Sequence, residues 1–130
     1  MAAGEGGFCT AVNCMDGRVQ LPVNAYMQQR FSVAYVDAVT EAGPIAILAR
    51  QDEPLIASIL SRVRISVEKH GSRVIAVVGH HDCAGNPVSK DLQIVQCRAA
   101  ADLLAESFPQ ALVVKLWVDE TWQVHDIDGE

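Results

Sequence analysis

Two short segments carry the residues most able to do chemistry: Cys14-Met15-Asp16-Gly17-Arg18, and well downstream His80-His81-Asp82-Cys83. Thiolate and imidazole are borderline-soft donors, which zinc takes at about 2.3 Å and 2.0 to 2.1 Å, and three such ligands leave a fourth tetrahedral position open, as in catalytic zinc sites. His-x-x-Cys would fix two ligands on one tight loop, with Cys14 closing the set from elsewhere in the chain. The spacing alone does not choose between His80 and His81. Taken singly, a cysteine is most often a small buried apolar residue and a histidine a polar loop group. The case for a metal site therefore rests on the fold bringing the two segments together.

The elements that would do this alternate. Phe8 to Asn13 is short, apolar and suited to a strand, and Val33 to Val39 and Ala111 to Val118 read the same way. Arg73 to Val78 is a continuous apolar run, as expected of a parallel strand buried on both faces. Between them, Pro22 suits the first turn of a helix that carries Val23, Met27 and Phe31, and Ala42-Gly43-Pro44 signals a turn. From Pro54, residues Leu55, Ile56, Ile59, Leu60, Val63 and Val67 mark one helix face that ends at Gly71, in what is expected to be the longest element. Asp91 to Ser107 is a further helix, broken by Phe108-Pro109. Strand-helix alternation of this kind predicts an α/β fold with an open, mainly parallel sheet flanked by helices. Such sheets place their sites beyond the carboxyl ends of the strands where the order reverses, here after the first and third strands. Those are the places where Cys14 and the His80 to Cys83 loop stand.

Composition sets the surroundings. With 130 residues, half of them hydrophobic and a fifth charged, the chain has material for one packed core. The expected organisation is a flexible glycine-bearing lead-in at 1–7 and a single domain at 8–130. A net charge of -6 without any run of lysines or arginines argues against a nucleic-acid partner, which clustered cations would serve. No apolar stretch reaches the roughly 20 residues that span a bilayer, and MAAGEGG lacks the basic flank and apolar segment of a signal peptide. A cytoplasmic protein without a membrane partner is expected. In a reducing compartment its four cysteines are thiols available for metal rather than two disulfides, and no Cys-x-x-Cys pair suggests redox exchange.

Cys-x-Asp-x-Arg followed downstream by Gly-His-x-x-Cys resembles the paired signature of the β-class carbonic anhydrases, and the order of elements from residue 8 to 118 is similar to theirs. The likeness is greatest to a short branch of that family, and it implies a mainly parallel four-stranded sheet in the order 2-1-3-4. The resemblance implies zinc held by Cys14, His80 and Cys83, which favours His80 because it directly follows Gly79, and a catalytic dyad of Asp16 and Arg18. It implies reversible hydration of carbon dioxide to bicarbonate by zinc-bound hydroxide, a carbonate dehydratase or lyase activity, in a homodimer or higher homo-oligomer. The dyad also has a physical rationale. Zinc held by two thiolates is formally neutral, so its water needs an acceptor such as Asp16, and a bidentate pair with Arg18 would keep that carboxylate ionised and off the metal. Hydrolysis of carbon disulfide or carbonyl sulfide would suit the same site. A non-catalytic zinc protein in which Asp16 closes the fourth position is the reading from another class.

Several positions stay open to more than one role. His81 is either a proton relay, its pKa near 6.5 being suited to transfer, or a solvent-facing residue. Asp82 is expected to bond its own loop's amides, His70 to interact with a helix terminus, Cys9 and Cys97 to pack, and Trp117 and Trp122 to serve the core or a subunit contact. Where the family has a cation and an amide after the second strand, this chain has Thr40-Glu41-Ala42-Gly43-Pro44, so Glu41 would add a carboxylate near the metal.

Overall fold

The computed structural model describes residues 7–129. Five strands form one sheet in the order β2-β1-β3-β4-β5, comprising β1 (Phe8–Cys14), β2 (Tyr35–Glu41), β3 (Val74–His80), β4 (Leu112–Val118) and β5 (Val124–Asp126). The first four are parallel, in the expected order, and β5 runs antiparallel to β4. The architecture is α/β, as expected. Among the described strands, β5 is the one additional to the sequence expectation. It is three residues of a polar tail with no apolar alternation to announce it, and it exists because Val124 to Asp126 pair with Leu116 to Val118.

Alternation along the strands splits the core in two. Cys9, Ala11, Ala76 and Val78 point to one face, where Val23 and Met27 of α1 (Gln20–Phe31) cover them. Val12, Ile75 and Val77 point to the other, against α2 (Pro44–Arg50), α3 (Leu55–Lys69) and α4 (Lys90–Ser107). Both faces of β1 and β3 are thus buried, which is why their sequences are nearly continuous apolar runs.

Some local expectations are corrected. The 18-residue α4 is longer than the 15-residue α3; its polar interruptions hide its length, but Gln93, Cys97, Ala100, Ala101 and Leu104 keep one buried face. Ala42-Gly43-Pro44 is a turn that runs directly into α2, with Gly43 at φ +67° and Pro44 at the helix start. The expected lead-in largely falls outside the described residues, but Gly7 within it accepts hydrogen bonds from the amides of Ala34 and Tyr35, and the strand expected from Val33 begins at Tyr35. His70 follows α3, yet its Nδ1 lies 2.6 Å from the Asp37 carboxylate on β2 and its ring stacks on Phe8 at 4.1 Å, so tertiary contacts rather than the helix end hold it. Cys9 and Cys97 are buried as expected, and burial pushes both thiols up to about 12.

Parallel pairing aligns the carboxyl ends. Cys14 is opposite Glu41, and His80 is opposite Val118. The ends of β1 and β3 meet at the reversal of strand order.

Candidate metal centre

Cys14 ends β1 and His80 ends β3, so strand geometry rather than a flexible loop positions both. Cys83 comes from the loop beyond β3. The ligand atoms of Cys14, His80 and Cys83 all lie within 4.8 Å of one another, and all three residues are buried. The two sulfurs are 3.8 Å apart. Two ligands at 2.3 Å from one tetrahedral ion stand about 3.8 Å apart, so the spacing suits zinc.

The imidazole is prepared for the same task. His80 Nδ1 lies 2.8 Å from the His81 carbonyl, which can only accept, so Nδ1 carries the hydrogen. In the neutral ring Nε2 then carries the lone pair, and this atom is buried without a hydrogen-bond partner among the described residues. An orphaned buried acceptor beside two thiols is the donor set a zinc ion would satisfy. His81 cannot replace His80, because its ring is at the exposed surface while its backbone carbonyl orients the other histidine and its amide donates to the Val118 carbonyl.

A framework of polar groups holds the three donors. Gln93 on α4 donates from Nε2 to the His80 carbonyl and accepts from the His80 amide through Oε1, at 2.9 and 3.1 Å, clamping the end of β3. Gln20 donates to the Cys14 carbonyl at 2.6 Å, and Asn13 accepts the Cys14 amide through its side chain at 2.9 Å. The turn after β2 packs directly on the loop that carries Cys83. A Cβ on Gly43 would stand 2.7 Å from the Asn86 Cβ, and one on Gly85 would stand 2.6 Å from Ala42, so both positions require glycine for close approach. Nothing in the spacing of the motifs points to these supports, but Gln93 has a readable signal, a lone amide on an otherwise apolar helix face.

Charge is distributed unevenly between the thiols. Burial pushes Cys14 up, but His80 beside it and the backbone groups of Asp16 and Gly43 outweigh that and bring it down to about 7. Cys83 is pushed up to about 11, by burial first and then by the negative charge of Cys14. For His80, burial opposes protonation, but the neighbouring Cys14 thiolate and the His81 carbonyl prevail and raise it above its ordinary value.

Metal must displace whatever protons these groups hold, and each displaced proton makes affinity change about tenfold per pH unit. From pH 8.5 down to 7.5, when Cys83 is the thiol still protonated, zinc affinity is expected to fall about tenfold. Below pH 7 both thiols must lose protons, and the fall should steepen to about a hundredfold per unit. Competition against a chelator of known affinity checks this; an affinity flat across that range would mean that these thiols are not the ligands.

Asp16 and Arg18 stand beside the cluster. The Arg18 guanidinium donates from Nε to Asp16 Oδ1 at 3.0 Å and from Nη2 to Oδ2 at 2.7 Å, a two-pronged pair, and the Arg18 amide adds a third bond to Oδ1 at 2.9 Å. Hydrogen bonding to Arg18 dominates over partial burial and holds Asp16 down to about 2. Asp82 does not bond its own loop's amides as expected. Its carboxylate and its carbonyl accept from Nη1 and Nη2 of Arg18 at 3.3 and 3.1 Å. Arg18 thereby ties the segment after β1 to the segment between two of the candidate ligands. Glu41 also differs from expectation. Its carboxylate pairs with Arg62 of α3, so its charge is matched rather than offered to the site, and its carbonyl accepts the Met15 amide.

The fold and this cluster together define a class, an α/β protein whose parallel sheet gathers two cysteines and a histidine, able to hold a metal ion, at its carboxyl edge. The sequence matches the family model described as "putative carbonic anhydrase" over residues 4–128, and the chain belongs to that family. No curated protein matches it in sequence. Among solved structures it is similar to β-carbonic anhydrase isoform I of the protozoan Trichomonas vaginalis, at 17% identity and TM-score 0.64, over 96% of this chain and 84% of that one. It is also similar to a structure from work on two tetrameric β-carbonic anhydrases of the filamentous ascomycete Sordaria macrospora, at 12% identity and TM-score 0.65, over 95% of this chain and 82% of that one.

Proposed function

We propose that this chain is a zinc lyase that catalyses the reversible hydration of carbon dioxide to bicarbonate, with residues 8–130 as its domain. The observation that carries this reading is the pairing of three convergent metal donors with a carboxylate that is turned to an arginine and lies outside the donor cluster. Three protein ligands leave a tetrahedral ion one position for water. Zinc bound by Cys14, His80 and Cys83 would supply the Lewis acidity that makes water nucleophilic near neutral pH.

The chain's own residues do the remainder. Asp16, held ionised by Arg18, is the acceptor that takes a hydrogen bond from the reacting water and orients it toward carbon dioxide. Arg18 keeps that carboxylate from becoming a fourth ligand, which is what sets this reading above a closed, non-catalytic zinc site. His81, exposed beside the cluster, would pass the proton on to buffer. We further propose a homo-oligomer, supported by the open edge of β2, with Tyr35 half exposed on it, and by the tetrameric carbonic anhydrases among the structural neighbours. A cytoplasmic location accords with four free cysteines, and no helix among the described residues is long and apolar enough to cross a membrane.

Stopped-flow carbon dioxide hydration by the zinc-loaded protein from about pH 6.5 to 9, the span around an activated zinc water, is the decisive experiment. Activity that rises with pH is expected. The source of the rise is the water, because Asp16 at about 2 is ionised throughout. No activity across that span, with one equivalent of zinc confirmed, would overturn the assignment and direct attention to carbon disulfide and carbonyl sulfide. Sedimentation of the same preparation should give a mass above the 14.0 kDa of one chain; a monomer would refute the assembly without touching the chemistry.

A further inference from the structure

We propose that Trp122, far from the two motifs in sequence, is a positioning residue for the Asp16–Arg18 dyad. The Arg18 guanidinium lies over the Trp122 ring, 4.4 Å from its centroid. One side of the guanidinium faces Asp16 and another faces Asp82, so the indole covers the flat face that hydrogen bonds leave free. Stacking on an aromatic ring restrains a planar cation of this kind perpendicular to its own plane, where in-plane hydrogen bonds do not. The inference rests on the carbonic anhydrase reading only for what the dyad does, not for how it is held.

The indole is itself fixed by a built turn. Trp122 has φ +63°, a conformation that a bulky residue rarely adopts. Its amide donates to the Asp119 carbonyl at 2.9 Å. The Asp119 carboxylate accepts the amides of Thr121 and Gln123, the Thr121 hydroxyl and a bond from His125, all between 2.6 and 3.0 Å. The ring packs against the core on the α1 face of the sheet. The His81 ring lies edge-to-face with it, the two ring centroids 6.3 Å apart. The strained backbone and the many bonds on Asp119 present one indole face to one guanidinium. β5, the strand absent from the sequence expectation, anchors the far side of this turn.

Without the indole, Arg18 can tilt out of the plane in which it grips Asp16, and the carboxylate gains freedom to approach the metal. The test uses Trp122→Leu, which keeps apolar bulk but has no aromatic face, Trp122→Phe, which restores a face, and Arg18→Ala as the reference for a released Asp16. Cobalt(II) loaded in place of zinc reports the ligand set through its visible spectrum, whether or not the protein hydrates carbon dioxide. Trp122→Leu is expected to shift that spectrum toward that of Arg18→Ala and to lower kcat about tenfold with KM within about twofold, and Trp122→Phe to recover most of both. In the Arg18→Ala background, Trp122→Leu should change neither further.

A Trp122→Leu spectrum identical to the unaltered protein overturns the proposal. So does a further loss in the Arg18→Ala background, because it would mean that the tryptophan merely folds the turn. If the unaltered protein shows no hydration activity, the assignment of substrate fails while the cobalt comparison still decides the role of Trp122.

Discussion

Replacing Cys14 by serine will cost the protein its tightly held equivalent of zinc. Loss of an outer partner of a metal ligand typically weakens binding by about 10 to 100-fold, and removal of a ligand from a three-ligand set should exceed that. The effect is large here because Cys14 is the thiol that His80 and the Asp16 and Gly43 backbone bring to about 7, and so the donor most available as thiolate at neutral pH. A serine hydroxyl in the same place holds its proton far more strongly and is a harder donor than zinc prefers beside Cys83 and His80. Cys14 is buried at the end of β1, where serine differs little in size, so the fold should persist. Metal content after dialysis and circular dichroism together check this. A folded Cys14→Ser protein that keeps a full equivalent of zinc would remove Cys14 from the ligand set.

Asp16→Asn is expected to separate binding from turnover. Asparagine has nearly the same shape, but one of its two terminal groups is an NH2 donor, so it cannot accept both prongs of the Arg18 guanidinium or serve as a charged acceptor for the reacting water. Positioned acid–base groups typically contribute about 100 to 10,000-fold to rate, and a loss of kcat within that range is expected. Zinc content should stay at one equivalent, because Asp16 lies outside the donor cluster. Stability should change little, since the pair it forms is exposed on the arginine side and an ion pair in water contributes little to folding. Zinc content, melting temperature and stopped-flow rates on one preparation check all three. Undiminished turnover would take Asp16 out of the mechanism. Loss of zinc together with turnover would instead make it a ligand and favour the closed site.

The two outcomes test different links of the same chain of cause. Cys14→Ser asks whether the ends of β1 and β3 converge on one ion, which is a statement about the sheet. Asp16→Asn asks what a carboxylate does once its arginine holds it away from that ion, which is a statement about chemistry. Trp122 belongs to the second, because it meets the dyad at the Arg18 guanidinium.

The sequence by itself determined the elements that carry a strong period and the residues that carry unusual chemistry. The continuous apolar run at Arg73 to Val78 specifies a strand buried on both faces, the short apolar segment Phe8 to Asn13 a further strand, and alternation with helices a parallel sheet, because few other arrangements bury those faces. The order of the first four strands followed from the resemblance of the two motifs to a known family, and with it the meeting of Cys14 with His80 and Cys83. Tertiary structure decided everything that depends on contacts distant in sequence and without a local signal. The strand β5 forms from three residues with no pattern of their own, because the edge of β4 offers them hydrogen bonds. Glu41 is drawn to Arg62 and His70 to Asp37, each across elements, so neither plays the part its sequence neighbours suggest. Gly43 and Gly85 owe their identity to a loop-to-loop approach visible only once both turns are in place. Asp82 and Trp122 acquire their roles from a single guanidinium that reaches out of the first motif to touch the second motif and the C-terminal turn. Periodicity records what a residue does for its own element, whereas a side chain with several donors, such as Arg18, is placed by whichever acceptors the folded chain brings within reach.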